Sequence, residues 1–212
     1  HQKNGELMEF VSYMSQVLLE HEESNIALPV EFGNSQFHAL SYLTEEVIEY
    51  SDWVNLFETI KNAIEEEWDN TTYNNLIKIY CSPFGFQYIS QKSDFIEFMN
   101  AHIGQMESLG FKLKQRTFLP IFNICFQKKL NKMAIDTYLT CKVRGIKVNG
   151  NILAKMSKIN EPMIRSSVFY DMVNCDEKFK EEDITILKSV FPVQKIGTVR
   201  NKRLVYPDGS QS

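Results

Sequence analysis

Apolar residues recur at helical spacing along most of this chain. In residues 6–23, Leu7, Phe10, Val11, Met14, Val17 and Leu18 fall on one stripe, which predicts an amphipathic helix. Residues 51–68 repeat the pattern through Val54, Phe57, Ile60 and Ile64, with Ser51 as the expected N-cap. A third such helix is predicted from Ser93 through Phe95, Phe98, Met99, His102, Ile103 and Met106, ending at Gly110, where a helix commonly stops. Strand-type alternation is scarce. Its one candidate is Thr198 to Tyr206, closed by the turn signal Pro207-Asp208-Gly209.

The helical segments repeat. Asn34-Ser35-Gln36-Phe37-His38-Ala39-Leu40 aligns with Asn70-Thr71-Thr72-Tyr73-Asn74-Asn75-Leu76 at an offset of 36, and that segment aligns with Gln115-Arg116-Thr117-Phe118-Leu119-Pro120-Ile121 at an offset of 45. An insertion of about ten residues around Pro83-Phe84-Gly85-Phe86-Gln87-Tyr88 accounts for the excess and reads as a loop. Gly110-Phe111-Lys112-Leu113 recurs 35 residues later as Gly145-Ile146-Lys147-Val148. Each repeat reads as a short helix, a turn, a longer amphipathic helix and a linker. Such hairpins bury their apolar faces only against their neighbours, so the expected fold class is all-α, an α-solenoid with a short irregular or β C-terminal extension. The expected division is a repeat domain over 1–192, with repeats at about 34–69, 70–114, 115–149 and 150–184 and a partial one at 5–33. Residues 193–212 then lead into a further domain. In the repeat 115–149, Phe118, Ile121, Phe122 and Cys125 should line the first helix, and small Ala134, with Tyr138 and Cys141, the second. The connection Gln127-Lys128-Lys129 is polar, as a solvated turn should be.

Charge changes the picture more than composition does. The 212 residues are 43% hydrophobic and 24% charged with few Gly and Pro, which excludes collagenous and low-complexity classes, and no apolar run is long enough to span a membrane. The net charge of −4 argues mildly against a polyanionic partner, yet it averages opposites. Residues 1–70 carry 15 acidic and 2 basic side chains, a net of −13, whereas residues 111–212 carry 9 and 19, a net of +10. In the window 111–160, eleven Lys and Arg face Asp136 as the only acid. Solvated helices interleave their signs, so this window points to phosphate contact. Cys81, Cys125, Cys141 and Cys175 have no CxxC spacing, and the histidines are scattered. Buried thiols in a reducing compartment are expected, with no zinc site. Asp171, Asp176 and Asp183 with Glu177, Glu181 and Glu182 mix with lysines and read as a solvated face. No Ser/His/Asp set, P-loop, GxGxxG or HExxH pattern occurs, so no catalytic residue is assigned.

The segments Thr72-Tyr73-Asn74-Asn75-Leu76-Ile77 and Gly145-Ile146-Lys147-Val148-Asn149 resemble the pentatricopeptide repeat over about residues 34–184. That resemblance implies RNA binding at roughly one base per repeat. It implies base reading by the residue after the repeat aromatic paired with the last residue of the repeat: His38 with Asp69, Asn74 with Lys114, and Leu119 with Asn149. None of these is a usual code pair, which favours recognition of backbone and shape over modular base reading. Arg116-Thr117-Phe118-Leu119-Pro120, Cys125-Phe126 and the stretch Asn149 to Ile159 resemble, more narrowly, the last repeats of protein-only ribonuclease P, the endoribonuclease that removes the 5′ leader of precursor tRNA. Val199 to Gly209 is similar to the strand and turn that enter the zinc-binding module of that family.

This resemblance implies docking of precursor tRNA through its elbow, with cleavage carried out by a metal-dependent nuclease domain beyond Ser212. The 212 residues open His1-Gln2 and read as a piece of a longer protein. They should themselves be non-catalytic and hold no cofactor, magnesium and structural zinc belonging to the parent protein. The RNA-binding candidates are Lys112, Lys114, Arg116, Lys128, Lys129 and Arg144, with Asn74 and His38 as base or ribose contacts. Lys132, Lys142 and Lys147 belong to the same basic grouping. The acidic first 70 residues read as a solubilising surface, with contact with a basic protein partner as the alternative. Location in the mitochondrion or another organelle is implied, with the nucleus as the alternative. A protein-interaction scaffold and a general single-stranded RNA-binding repeat protein of organelle RNA metabolism stay open as other readings.

Overall fold

A computed structural model describes residues 2–24, 29–64 and 68–175, together with residue 185 and the pairs 199–200 and 203–204. The chain divides into two compact units, His1–Ile121 and Phe122–Ser212, and passes from one to the other within a single helix.

The first unit holds α1 (Gln2–Ser24), α2 (Val30–Leu40), α3 (Tyr50–Ala63), α4 (Asn70–Tyr80), α5 (Pro83–Lys92), α6 (Phe95–Ser108) and the start of α7 (Gln115–Gln127). The predicted hairpins are present as α2 with α3 and α4 with α6, and α2 packs along α4. Both boundaries of α3 differ from the sequence expectation, and α1 begins at Gln2, four residues before the expected start. α3 starts at Tyr50, after Glu49 rather than from a Ser51 cap, and ends at Ala63, short of Trp68. The reason is tertiary. Tyr50 stacks 6.5 Å from Trp53, whose indole Nε1 donates to the Leu40 carbonyl at 3.2 Å, so packing fixes the first turn where no capping side chain does.

The insertion is also not a loop. It folds as α5, because Ser82 caps the Gly85 N–H at 3.2 Å and Pro83 stands at the first position, where its missing N–H costs nothing. Phe84 and Tyr88 turn inward against Trp53 and Phe57, so these aromatics pack the core. Gly85 lets the helix close on α4: a Cβ there would lie 1.8 Å from the Ile79 carbonyl oxygen. α6 starts two residues after the expected Ser93, where Asp94 accepts from the N–H groups of Ile96 and Glu97.

The second unit holds the rest of α7, α8 (Asn131–Val143), α9 (Gly150–Met156) and α10 (Pro162–Val173). Its interior uses small residues beside large ones, with Cys125, Ala134, Cys141 and Ala154 each 1% exposed or less next to Phe122 and Tyr138. Burial pushes the thiols of Cys125 and Cys141 up to about 12, so both are unreactive hydrophobes at neutral pH. Cys81 and Cys175, by contrast, are only half-buried, because each follows the end of its helix. Val199–Arg200 (β1) and Arg203–Leu204 (β2) pair antiparallel, within the predicted strand segment, while the Pro207-Asp208-Gly209 turn lies outside the described residues.

The same helix stop recurs along the chain. α6 and α8 end in a left-handed residue, Gly110 (φ 75°) and Gly145 (φ 65°). Phe111 N–H returns to the Met106 carbonyl at 3.0 Å, and Ile146 N–H to that of Cys141 at 2.8 Å. α7 closes in the same way, Leu130 N–H donating to the Cys125 carbonyl at 2.8 Å, but there the left-handed position is Lys129 (φ 57°).

Candidate nucleic-acid interface

The helix stops dictate where the basic residues point. After Gly110 the chain is extended and alternates: Phe111 and Leu113 are half-buried, while Lys112 and Lys114 are exposed. Phe111 is anchored 5.5 Å from the Tyr73 ring, which fixes the register of the alternation. After Gly145 the pattern repeats, with Ile146 and Val148 half-buried and Lys147 exposed. The lysines of both linkers therefore face water because their neighbours are held inward.

Lys114 and Arg116 flank Gln115, the first residue of α7, at the helix end that favours an anion. Lys114 N–H donates to Thr117 Oγ1 at 3.3 Å, and that hydroxyl donates to Asn74 Oδ1 at 2.7 Å. Lys112, Lys114, Arg116 and Asn74 are thus one neighbourhood of the first unit. The Asn74 amide is already engaged, since Nδ2 also donates to the Asn70 carbonyl at 2.6 Å and to Asn70 Oδ1 at 2.8 Å. A base contact at Asn74 would replace these bonds. No hydrogen bond among the described residues joins His38 to this group; exposed on α2, it sits edge-on to Tyr42 at 5.1 Å.

The positions paired with these residues mostly act as helix caps. Asp69 accepts from Thr72 N–H at 2.7 Å and from Thr72 Oγ1 at 2.8 Å, and Asn149 accepts from Ile152 N–H at 2.9 Å. The hydrogen bonds hold the Asp69 carboxyl below its usual range against the opposing pull of its burial, so it stays ionised. Leu119 is half-buried in α7.

In the second unit, Lys128, Lys129 and Lys132 are exposed around the α7–α8 turn, and Arg144 and Lys147 are exposed beyond α8. Arg144 Nη1 reaches back to the Thr140 carbonyl at 3.4 Å. Lys142 of the same basic grouping is committed elsewhere, to an ion pair with Asp171 at 2.7 Å. Asp171 also accepts from the Tyr138 hydroxyl, which shares a 3.0 Å bond with Ser167. That brace has a counterpart in the first unit: Tyr88 donates to Glu58, and Lys92 Nζ lies 3.2 Å from Glu58 and 2.6 Å from the Tyr88 hydroxyl. In both, Tyr and Lys stand four residues apart on one helix and a carboxylate comes from another. Sequence reading missed the braces, because Asp171 is 29 residues from Lys142 and Glu58 is 34 from Lys92. The Tyr-x-x-x-Lys spacing was the only signal available.

Among the described residues no group of three His, Cys, Asp or Glu side chains is placed to hold a metal ion, and no helix is long and apolar enough to cross a membrane. What the surface offers is exposed cations on extended linkers, turns and helix ends, suited to phosphate groups.

The fold is that of a helical-hairpin solenoid of the pentatricopeptide type. A solved structure similar to it is the pentatricopeptide repeat domain of Arabidopsis thaliana protein-only RNase P 1, crystallised in complex with tRNA. The two share 12% sequence identity at a TM-score of 0.65, over 89% of this chain and 94% of that one. No protein-family profile matches the sequence. No curated protein matches it either.

Proposed function

We propose that this chain is an RNA-binding repeat domain that docks precursor tRNA, through its elbow, for 5′ leader removal by a nuclease domain outside these 212 residues. The observation that carries the reading is the exposure of Lys112, Lys114, Arg116, Lys128, Lys129 and Arg144 on linkers, turns and helix ends of a net +10 segment. The tRNA bound to the similar Arabidopsis domain supports folded RNA as the ligand. Engaged caps at Asp69 and Asn149 and the engaged Asn74 amide favour backbone and shape recognition over base-by-base reading. In this reading the repeats themselves do no chemistry, magnesium and zinc serve other parts of the protein, and the site of action is the mitochondrion or another organelle.

The test is a titration of the chain with precursor tRNA and with an unstructured RNA of equal length at several salt concentrations. Folded tRNA should bind more tightly. Six neutralised phosphates should give a slope of log affinity against log salt of about −4 to −5. A flat salt response would remove the reading. Preference for one particular single strand would replace it with an ordinary repeat reader, and cleavage by these 212 residues alone would overturn the separation of docking from chemistry.

A further inference from the structure

The first unit has a further surface, built from residues outside the basic set. Between α1 and α3 lies a cleft of about 590 Å³, within the range that accepts several side chains of a ligand. Its floor is apolar, built from Val11 and Leu18 of α1, Ile48 before α3, and Leu56 of α3. α1 is only partly used by the core: Met14 and Leu18 are buried, but Val11 and Val17 remain half-exposed.

The rim is acidic. Glu49 and Asp52 line the cleft, and Glu45 and Glu46 lie exposed just before it. The ion pairs among the described residues include neither lining carboxylate. Glu49 stands at the N-cap position of α3, yet its side chain accepts no capping bond, so its carboxylate oxygens are not engaged by the first N–H groups of the helix. Residues 1–70 as a whole carry a net −13. A phosphodiester would be repelled from this rim, whereas Lys and Arg would be attracted and oriented.

We propose that this cleft docks a short amphipathic segment of a partner protein, its apolar side chains on the floor formed by Leu18, Ile48 and Leu56 and its Lys or Arg side chains against Glu49 and Asp52. The apolar contact supplies affinity, and the carboxylates supply orientation and rejection of acidic segments. The inference stands independently of the RNA reading, because it uses other residues and the opposite charge.

The probe is a fluorescein-labelled 16-residue peptide with Leu at helical i, i+3, i+4 spacing and Lys elsewhere, titrated into the full chain by anisotropy. Saturable one-to-one binding is expected. The double substitution Glu49→Lys with Asp52→Lys should weaken it at least tenfold with the RNA affinity unchanged and the thermal midpoint lowered only slightly, by the loss of two carboxylates from the start of α3. Asn55→Lys, inside the cleft but outside the pair, should weaken it in the same direction. A peptide with Glu in place of Lys should not bind. Absence of saturable binding overturns the proposal, as does an affinity unmoved by both variants. Concentration-dependent self-association abolished by the double substitution would overturn it in favour of a second copy of the chain, and displacement of the peptide by single-stranded RNA in favour of nucleic acid.

Discussion

The two compact units build the same helical hairpin in different ways. In the first, large rings fill the interior: Trp53 stacks 5.3 Å from Phe57, Phe84 tilts against Trp53 at 5.7 Å, and Tyr88 meets Phe57 edge-on at 5.4 Å. In the second, Cys125, Ala134, Cys141 and Ala154 stand among a few large residues, and a Tyr–Lys–Asp brace ties α8 to α10. Charge changes sign along the chain as well, net −13 over residues 1–70 and net +10 over residues 111–212, so the switch begins inside the first unit at Lys112, Lys114 and Arg116. The hairpin is therefore indifferent to what fills it, provided volume and face are kept, and its surface charge varies independently of its core.

The contrast in packing gives the largest expected effect. Trp53→Ala should destabilise the protein by about 3–5 kcal/mol, combining a cavity with the loss of the indole hydrogen bond to the Leu40 carbonyl, which keeps the Leu43 N–H as its other donor. Cys125→Ala in the second unit removes one small buried group and should cost about 1 kcal/mol. Urea unfolding of both variants measures the difference, and equal losses would erase the distinction. Next in size is Gly85→Ala, where the new methyl meets the backbone of α4 instead of a movable side chain; about 2–3 kcal/mol should be lost, seen in the same titration.

A smaller effect has the opposite sign. Lys129 occupies a left-handed position that glycine tolerates better, so Lys129→Gly should stabilise the chain by about 0.5–1 kcal/mol. The same change should weaken precursor tRNA binding and reduce the magnitude of its salt slope by about 1. A stability gain with unchanged RNA binding would mean that the lysine does not contact phosphate.

The smallest effect concerns the first-unit brace and shows only in acid. The hydrogen bond from Tyr88, aided by Lys92, holds the Glu58 carboxyl below its ordinary value of 4.5 despite its partial burial. A carboxyl lowered by folding adds stability that is complete above that ordinary value and is lost as pH falls through the folded one. Glu58→Gln should therefore flatten the stability profile below about pH 4.5 and leave its shape at neutral pH unchanged. Thermal melts from pH 7 to 3 would show it, and an unaltered acid limb would sink the assignment.

What could be read from the sequence follows from how local each cause is. The repeat offsets were legible because Phe37, Tyr73 and Phe118 mark the same buried position and because Gly110 and Gly145 end equivalent helices. Lys112, Lys114 and Lys147 were legible as a basic grouping, whereas the alternation that exposes them is too short to stand out before the glycine stops and the anchored Phe111 are known. α5 was hidden because Pro83 and Gly85 look like breakers; here one starts a helix and the other allows a close approach. The start of α3 and the commitment of Lys142 to Asp171 depend on partners brought in by folding, so no local pattern announced them. The acidic stretch was plain, but the cleft beneath it needs α1 and α3 side by side.

The shared ending of α6 and α8 has a consequence for how such a protein can change over generations. A glycine stop followed by an alternating inward and outward linker places Lys112, Lys114 and Lys147 at exposed positions. Single-codon changes at positions 112, 114 or 147 can thus raise, cancel or invert local charge without disturbing the folded scaffold. Ligand preference can drift by small steps at these sites while the architecture is inherited intact.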